Sequence, residues 1–355
     1  MKSGGDCRIK GNIQNFGEMN VQENTSLKAY NTFGIEAKAK FFAEFDNLAS
    51  LRELLLFSQS SSLPLLVIGG GSNMLLTKDF EGLVIRNKIR GIEVLKEDEM
   101  EVLIRSGSGE VWHEFVQHCV AKGYGGIENL SLIPGFVGAS PMQNIGAYGV
   151  EIKDVFHSLE AMAIADGSLR SFSREECKFG YRESIFKKEA KGKYIIVSVT
   201  YKLSKKPQLN TSYGAIEQEL IKMGVKVPGI SEVSQAVINI RRSKLPDPAV
   251  IGNAGSFFKN PEIPKDVFES LKSRFPDVVA YPTLHGMKVA AGWLIEQTGW
   301  KGKRIGETGV HKNQALVLVN YGEAKGAEVL NLASAIQQDV LNKFGIVLEM
   351  EVNII

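Results

Sequence analysis

The chain has 355 residues, enough for two or three domains, and its 44% hydrophobic and 23% charged content is that of a soluble globular protein. A formal net charge of +2 gives no overall electrostatic case for binding nucleic acid or a membrane surface. Cys7, Cys119 and Cys177 lie far apart without a C-x-x-C, which fits a reducing compartment better than a disulfide framework. The longest apolar stretch, Leu63 to Ile68, is strand-length and the N-terminus carries no long apolar run, so the expectation is a cytoplasmic protein without signal peptide or anchor.

Residues 1–20 are polar, contain glycine and show no period, and read as a loose tail. LPLLVI (63–68) predicts a buried strand that runs straight into GGGSN, and GLVIRN (82–87) and EVLIRSG (101–107) predict further strands. EVWHEFVQHCVAKG (110–123) has helical spacing and closes on Gly123. A long loop rich in Gly, Pro, Ser and Asn follows at 130–149. Residues 159–173 read as a hairpin turning at Asp166-Gly167, and 193–203 as a strand. The segment 230–245 predicts an amphipathic helix that ends before Pro246. Beyond it come helices near 289–298 and 325–343 and strands at 315–320 and 346–352. Strands and helices without regular alternation argue for an α+β fold.

Two glycine-rich loops stand out. The strand entering Gly69-Gly70-Gly71-Ser72-Asn73 can bend backbone N–H groups into an anion nest, although Met74 stands where a Rossmann fingerprint needs glycine and no Gly-Lys-Ser/Thr follows. The alternative is a plain tight turn. The loop PGFVGASPMQNIGAYG has the length of a functional segment and suggests a dinucleotide pressed against backbone at several points, or else a structural Ω-loop. Arg182 in YRES and the basic cluster Arg241, Arg242 and Lys244 at a helix end suit anion recognition, but also a surface charge and dipole compensation. His113 and His118 are five positions apart, not the four that would share a helix face, so no metal site is expected. Glu349 and Glu351 alternate with apolar residues, which places both on one face of a terminal strand. Ser256, in GNAGSFFKNP, lacks the second glycine and the histidine of a hydrolase elbow.

GGGSNML, IPGFVGASPMQNIGAYG, YRES-IFK, KLPDP, GNAGSFFKNP, AAGWLIEQ and VHKNQALVLVN occur in this order along the chain. From about Asn31 onward the sequence resembles the UDP-N-acetylenolpyruvoylglucosamine reductase family, of the type that carries a tyrosine loop, with LNTSYG and its Tyr213 where that loop belongs. The resemblance implies an FAD-binding fold of the vanillyl-alcohol oxidase type in two subdomains, with non-covalent FAD, and an α+β substrate-binding domain. The expected division is a tail at 1–20, a first FAD-binding subdomain at 21–88 with part of the C-terminal strand, a second at 89–240 with the tyrosine loop at 204–214, and a substrate domain at 241–350.

By the same resemblance, the cofactor is lined by Gly69, Gly70, Gly71, Ser72 and Asn73 at its pyrophosphate and by Pro134, Gly135, Gly138, Ala139, Ser140, Gly146 and Tyr148 elsewhere. NADPH is the co-substrate, and hydride passes through FAD to C3 of the enolpyruvyl group of a UDP-sugar. The implied catalytic residues are Arg182 at the substrate carboxylate, Ser256 as proton donor to C2, and Glu351 beside that centre. Tyr213, Lys244, Asn260, Lys301 and Gln314 are implied at the diphosphate and sugar, Lys288, Ala290 and Tyr281 at the uridine, and Arg241 as a further substrate-binding residue. The setting is peptidoglycan precursor synthesis in the cytoplasm, by a monomer without membrane or nucleic-acid partners. Asn353 stands where an arginine is common in that family, and Glu351 lies close to Ile355, so its placement is expected to depend on the terminal strand. Another FAD oxidoreductase of the same fold and a silent UDP-sugar-binding protein are the competing expectations; the presence of Ser256, Arg182, Glu351 and KLPDP argues against both.

Overall fold

A computed structural model describes residues 20–355. Contacts within it group the chain into two units: 20–25, Lys38–Gly70 and Phe80–Ser243 form the first, and Ser26–Ala37, Gly71–Asp79 and Lys244–Ile355 the second. The expected tail lies, apart from Asn20, outside the described residues.

The first unit holds an antiparallel five-stranded sheet in the order Leu169–Ser173, Phe156–Ala163, Tyr194–Ser204, Glu101–Gly107, Ile92–Glu97. Its central strand buries Val199, Tyr201 and Leu203, alternate residues that a pleated strand turns to one face. The helix Trp112–Ala121 covers that face, and Trp112 and Phe115 lie 5.9 and 5.1 Å, centre to centre, from the Tyr201 ring. Gly123 follows this helix at φ +78°, the left-handed conformation expected of a glycine stop. The hairpin turns at Asp166-Gly167 as the sequence predicts, with the Asp166 carboxylate accepting from the Ser168 amide at 2.9 Å. A four-stranded sheet runs Gln22–Ser26, Lys38–Phe45, Phe80–Asn87, Leu65–Ile68, and its last three strands are parallel. Parallel strands need a crossover, and the helix Leu48–Ser60 supplies it between Lys38–Phe45 and Leu65–Ile68, the strands on either side of Phe80–Asn87; Asn47 caps it by accepting from the Ala49 and Ser50 amides.

The second unit holds the antiparallel sheet Gly252–Ser256, Val317–Asn320, Thr308–Val310, Arg304–Ile305 and the small sheet Glu262–Ile263, Met287–Val289, Ala280–Pro282. The helix Gly326–Phe344 packs here, and Phe344 meets the rings of Phe275 and Trp293 at 4.9 and 5.6 Å.

The terminal strand expected over 346–352 is not continuous. Around a single bridge between Phe258 and Met350, Lys259 N–H donates to the Glu349 carbonyl and Glu351 N–H to the Phe257 carbonyl. The backbone bends at Val352, and Asn353–Ile354 then pairs in parallel with Met74–Leu75. The apolar-polar alternation is real, but it serves two partners in succession rather than one ladder. Among the described residues no helix is long and apolar enough to cross a membrane.

Candidate active site

In the first unit, the strand Leu65–Ile68 leads Gly69 and Gly70 onto the glycine-rich loop. A Cβ on Gly69 would lie 3.1 Å from the Phe136 side chain, and one on Gly70 3.2 Å from the Gly135 Cα. A side chain at either position would be crowded, and the bare backbone of glycine is what close approach of a phosphate to main-chain N–H groups requires. Arg86 and Arg90 lie 5.8 and 5.9 Å from the Phe136 ring centre. The loop is fastened to the neighbouring chain: Trp112 N–H donates to Gly135 O, Val137 N–H to Glu110 O and Gly138 N–H to Ser108 O, all within 2.9 Å. A side chain at Gly138 would meet the Ser108 Cβ at 2.6 Å. Ser140 is buried with its hydroxyl 2.7 Å from that of Tyr201, whereas Pro134 and Ala139 are exposed.

Leu132, Asn144, Tyr148 and Arg182 all have positive φ, from +46° to +58°. Side chains disfavour this region, so it persists only where surroundings impose it. Leu132 is held on both sides: its N–H donates to His113 Nδ1 at 2.9 Å and its carbonyl accepts from Arg241 Nε at 3.2 Å. Asn144 is buried and donates to Gly180 O and Glu151, while its own Oδ1 accepts from Lys153 N–H. Arg182 donates through Nη2 to Gly146 O at 2.5 Å and through Nη1 to Asn144 O at 3.4 Å, with its guanidinium 5.4 Å from the Tyr181 ring centre. Ser184 ties the same turn down by donating to Met142 O. YRES and the glycine-rich loop are thus one fastened assembly.

Arg241 reaches the Tyr148 hydroxyl as well as Leu132; burial pushes its guanidinium down from the ordinary arginine value, and Tyr148 opposes this. Burial raises the Tyr148 hydroxyl in turn. The edge of Tyr148 meets Tyr213 with ring centres 5.4 Å apart. Tyr213 is exposed at the head of the helix Gly214–Lys222. Burial, then Arg242 and Arg241, holds His113 below the ordinary histidine value against Glu114. Cys119 and Cys177 are buried with their thiols pushed up, Cys177 to about 12, so neither is a thiolate nucleophile near neutral pH.

In the second unit, Gly71 has φ +61° and an added Cβ would lie 2.0 Å from the Tyr30 carbonyl, so only glycine fits. Thr32 N–H donates to Gly71 O, and Thr32 Oγ1 donates to Asn253 O at 2.6 Å. Asn73 accepts from the Asn353 backbone and side-chain N–H groups and donates to the Glu351 carbonyl at 3.4 Å. Ser256 ends a strand that bulges between Asn253 and Ser256, with Gly255 at φ +70° and its N–H on Asn253 Oδ1. The next residue, Phe257, donates to Leu316 O and accepts from Glu351 N–H. Ser256 and Glu351 are therefore set on adjoining backbone. Glu349 instead pairs with the buried Lys259 at 2.8 Å.

Asn260 Oδ1 accepts from Ala291 N–H, and Gln314 Oε1 from Leu316 N–H. Tyr281 stands directly across from Lys288, and Ala290 N–H donates to Val279 O. Lys301 pairs with Glu296 at 2.8 Å, and Lys244 is exposed. Among the described residues no group of three His, Cys, Asp or Glu could hold a metal ion.

A family model described as an FAD binding domain matches residues 39–173, and one described as the C-terminal domain of UDP-N-acetylenolpyruvoylglucosamine reductase matches 247–355. A UDP-N-acetylenolpyruvoylglucosamine reductase of Pseudomonas syringae pv. tomato is 52% identical over 337 residues, 95% of this chain and 99% of the relative. The chain belongs to the UDP-N-acetylenolpyruvoylglucosamine reductase family. The reductase of Flavobacterium johnsoniae is likewise 52% identical, over 95% of this chain and all of its own. The crystal structure of the UDP-N-acetylenolpyruvylglucosamine reductase of Thermus caldophilus superposes with a TM-score of 0.64 at 25% identity, covering 95% of this chain and 99% of that one. The α+β fold with an FAD-binding domain is that of this reductase family. Sequence reasoning gave no role to Asn129, Leu132, Asn144 and Asn210 and weighed His113 only as a metal ligand, although all five shape the first unit's loops. Their partners are mostly distant in sequence, so even the quoted motifs that contain Leu132, Asn144 and Asn210 do not reveal these bonds.

Proposed function

We propose that this chain is an FAD-containing, NADPH-dependent oxidoreductase that reduces UDP-N-acetylglucosamine enolpyruvate to UDP-N-acetylmuramate for peptidoglycan synthesis. The observation that carries this reading is 52% identity to reductases of that name along 95% of the chain. The glycine backbone supports a cofactor there: an added side chain would be crowded at Gly69 and Gly70 and would overlap the Tyr30 carbonyl at Gly71. Gly69 to Asn73 would hold the pyrophosphate, and Pro134, Gly135, Gly138, Ala139, Ser140, Gly146 and Tyr148 the remainder. Bound FAD supplies the two-electron relay between NADPH and the sugar substrate.

The chain's own residues manage charge and protons. Hydride arriving at C3 of the enolpyruvyl group leaves negative charge on C2 and the adjoining carboxylate. Arg182 has the planar fork to take that carboxylate. The Ser256 hydroxyl gives its proton to C2, and Glu351, on backbone bonded to Phe257, serves the same centre. A serine need not be a strong acid to do this, because it donates to a carbanion-like carbon formed beside it. Tyr213, Lys244, Asn260, Lys301 and Gln314 are assigned to the diphosphate and sugar, Tyr281, Lys288 and Ala290 to the uridine, and Arg241 to substrate binding. On this reading 21–88 and 89–240 serve the cofactor and 241–350 the substrate, in a cytoplasmic monomer.

The test is direct. Purified protein is expected to be yellow, to release FAD, and to oxidise NADPH when the enolpyruvyl sugar is added. A colourless protein that cannot be reconstituted with FAD overturns the reading.

A further inference from the structure

We propose that Asn129 is a positioning residue that fastens the tyrosine-bearing segment 209–213 to the end of the glycine-rich loop. Asn129 sits in the short 3-10 turn Glu128–Leu130 and is fully buried. Its amide nitrogen donates to two carbonyls from different segments, Tyr148 O at 3.0 Å and Asn210 O at 2.9 Å. Only one orientation of the amide is chemically sensible, since a flip would set Oδ1 against two carbonyl oxygens. That orientation leaves Oδ1 buried with no hydrogen-bond partner. A buried amide with one end unsatisfied is a poor way to stabilise a core. Both of its protons are used to join chain segments.

A second fastening runs alongside. Asn210 Nδ2 donates to Gly149 O at 3.1 Å, and Ser212 holds Asn210 by donating to its Oδ1 at 3.0 Å. Gly149 has φ +80°, and a Cβ there would lie 2.9 Å from Asn210 Nδ2, so this approach needs glycine. The Tyr148 and Tyr213 rings then meet edge to face, 5.4 Å apart. Tyr148, itself at φ +51°, is the shared anchor. The location of Tyr213 is thereby set from the cofactor-side loop through Asn129. The consequence for catalysis rests on the proposed role of Tyr213 at the sugar substrate.

The experiment compares wild-type protein with Asn129→Leu, which keeps the branched shape and removes both donors, and with Asn210→Ala, which removes the parallel bond to Gly149 and the one accepted from Ser212 but keeps the Asn210 carbonyl that Asn129 holds. Amide hydrogen exchange, read without any substrate, is expected to speed up about tenfold over 209–213 in Asn129→Leu and to change less in Asn210→Ala, with the hairpin 156–173 unaffected. In steady state, KM for the enolpyruvyl sugar is expected to rise about tenfold in Asn129→Leu at nearly unchanged kcat, with FAD content and flavin reduction by NADPH as in wild type. Unchanged exchange over 209–213 in both variants overturns the fastening, and faster exchange with unchanged KM overturns its role in positioning. A wild-type protein that does not turn over the sugar refutes the proposed function instead, and exchange alone then decides the fastening. If Asn129→Leu does not fold, Asn129→Ser, whose side chain is too short to reach both carbonyls, takes its place with the same expected and overturning results.

Discussion

The amide of Glu351 donates to the carbonyl of Phe257 at 2.8 Å. The terminal segment is thus bonded to the residue that follows Ser256, and on the far side of the Phe258–Met350 bridge Lys259 N–H returns a bond to Glu349 O. On the proposed reading this serine gives its proton to carbon rather than attacking it. Ser256→Ala is expected to leave flavin reduction by NADPH nearly intact and to slow flavin reoxidation by the enolpyruvyl sugar by about 10² or more. Stopped-flow absorbance of the two half-reactions checks this, and equal slowing of both refutes the proton-donor role.

Glu349 and Glu351 share a short segment but have different surroundings. Glu349 is the ion-pair partner of Lys259, whose side chain is only 8% exposed, while the Glu349 side chain is 70% exposed. Glu349→Gln is expected to cost about 1 kcal/mol, because the carboxylate remains well solvated, with turnover unchanged. Glu351→Gln is expected to do the reverse, lowering turnover at constant unfolding midpoint. Urea titration and steady-state rates on both variants separate the two; matching behaviour would reject the assignment of Glu351.

Arg182 donates to two carbonyls of the glycine-rich loop while keeping a planar cation at positive φ. A lysine offers a point charge and cannot form the same fork. Arg182→Lys is expected to lower kcat about 10²-fold, the scale of losing one preorganised charge contact, with FAD retained. Turnover within twofold of wild type would exclude it from the carboxylate.

His113 gives a pH dependence with a definite sign. Its Nδ1 accepts from Leu132 N–H only when unprotonated. Burial, Arg242 and Arg241 depress its folded-state value below the ordinary 6.5, against Glu114. The unfolded chain therefore takes up the proton first as pH falls, so stability present above the unfolded value is lost as pH drops through the folded one. His311 is depressed as well, by burial and Lys312. The difference between wild type and His113→Asn, in which an oxygen replaces Nδ1 and does not titrate, isolates the His113 contribution. Urea midpoints of wild type are expected to fall more steeply than those of the variant below about pH 6.5; parallel curves would remove His113 from the linkage.

What the sequence revealed depended on how local each cause is. Gly123 was legible because a glycine closing a helical period is a stop signal, left-handed here at φ +78°. The hairpin at Asp166-Gly167 and the helix Trp112–Ala121 followed from turn chemistry and period. The helix Leu48–Ser60 was not read, although Asn47 before an apolar-periodic run is a start signal. The terminal alternation was read as one strand because alternation cannot report that Glu351 and Asn353 bond to different partners. Asn129 gave no signal, since its role comes from carbonyls 19 and 81 residues away. Ser256 looked out of place as a hydrolase serine, and only the resemblance carried by the ordered motifs implied another role for it.

The parallel pairing of Met74–Leu75 with Asn353–Ile354 also bears on synthesis. Asn73 and its bonding partner Asn353 are separated by 280 positions. At ribosomal rates of about 5–20 residues per second, the glycine-rich stretch waits on the order of tens of seconds for its partner to be made. That part of the second unit is thus completed only after 280 further residues have been translated, which leaves an unfinished sheet edge in the nascent chain until then.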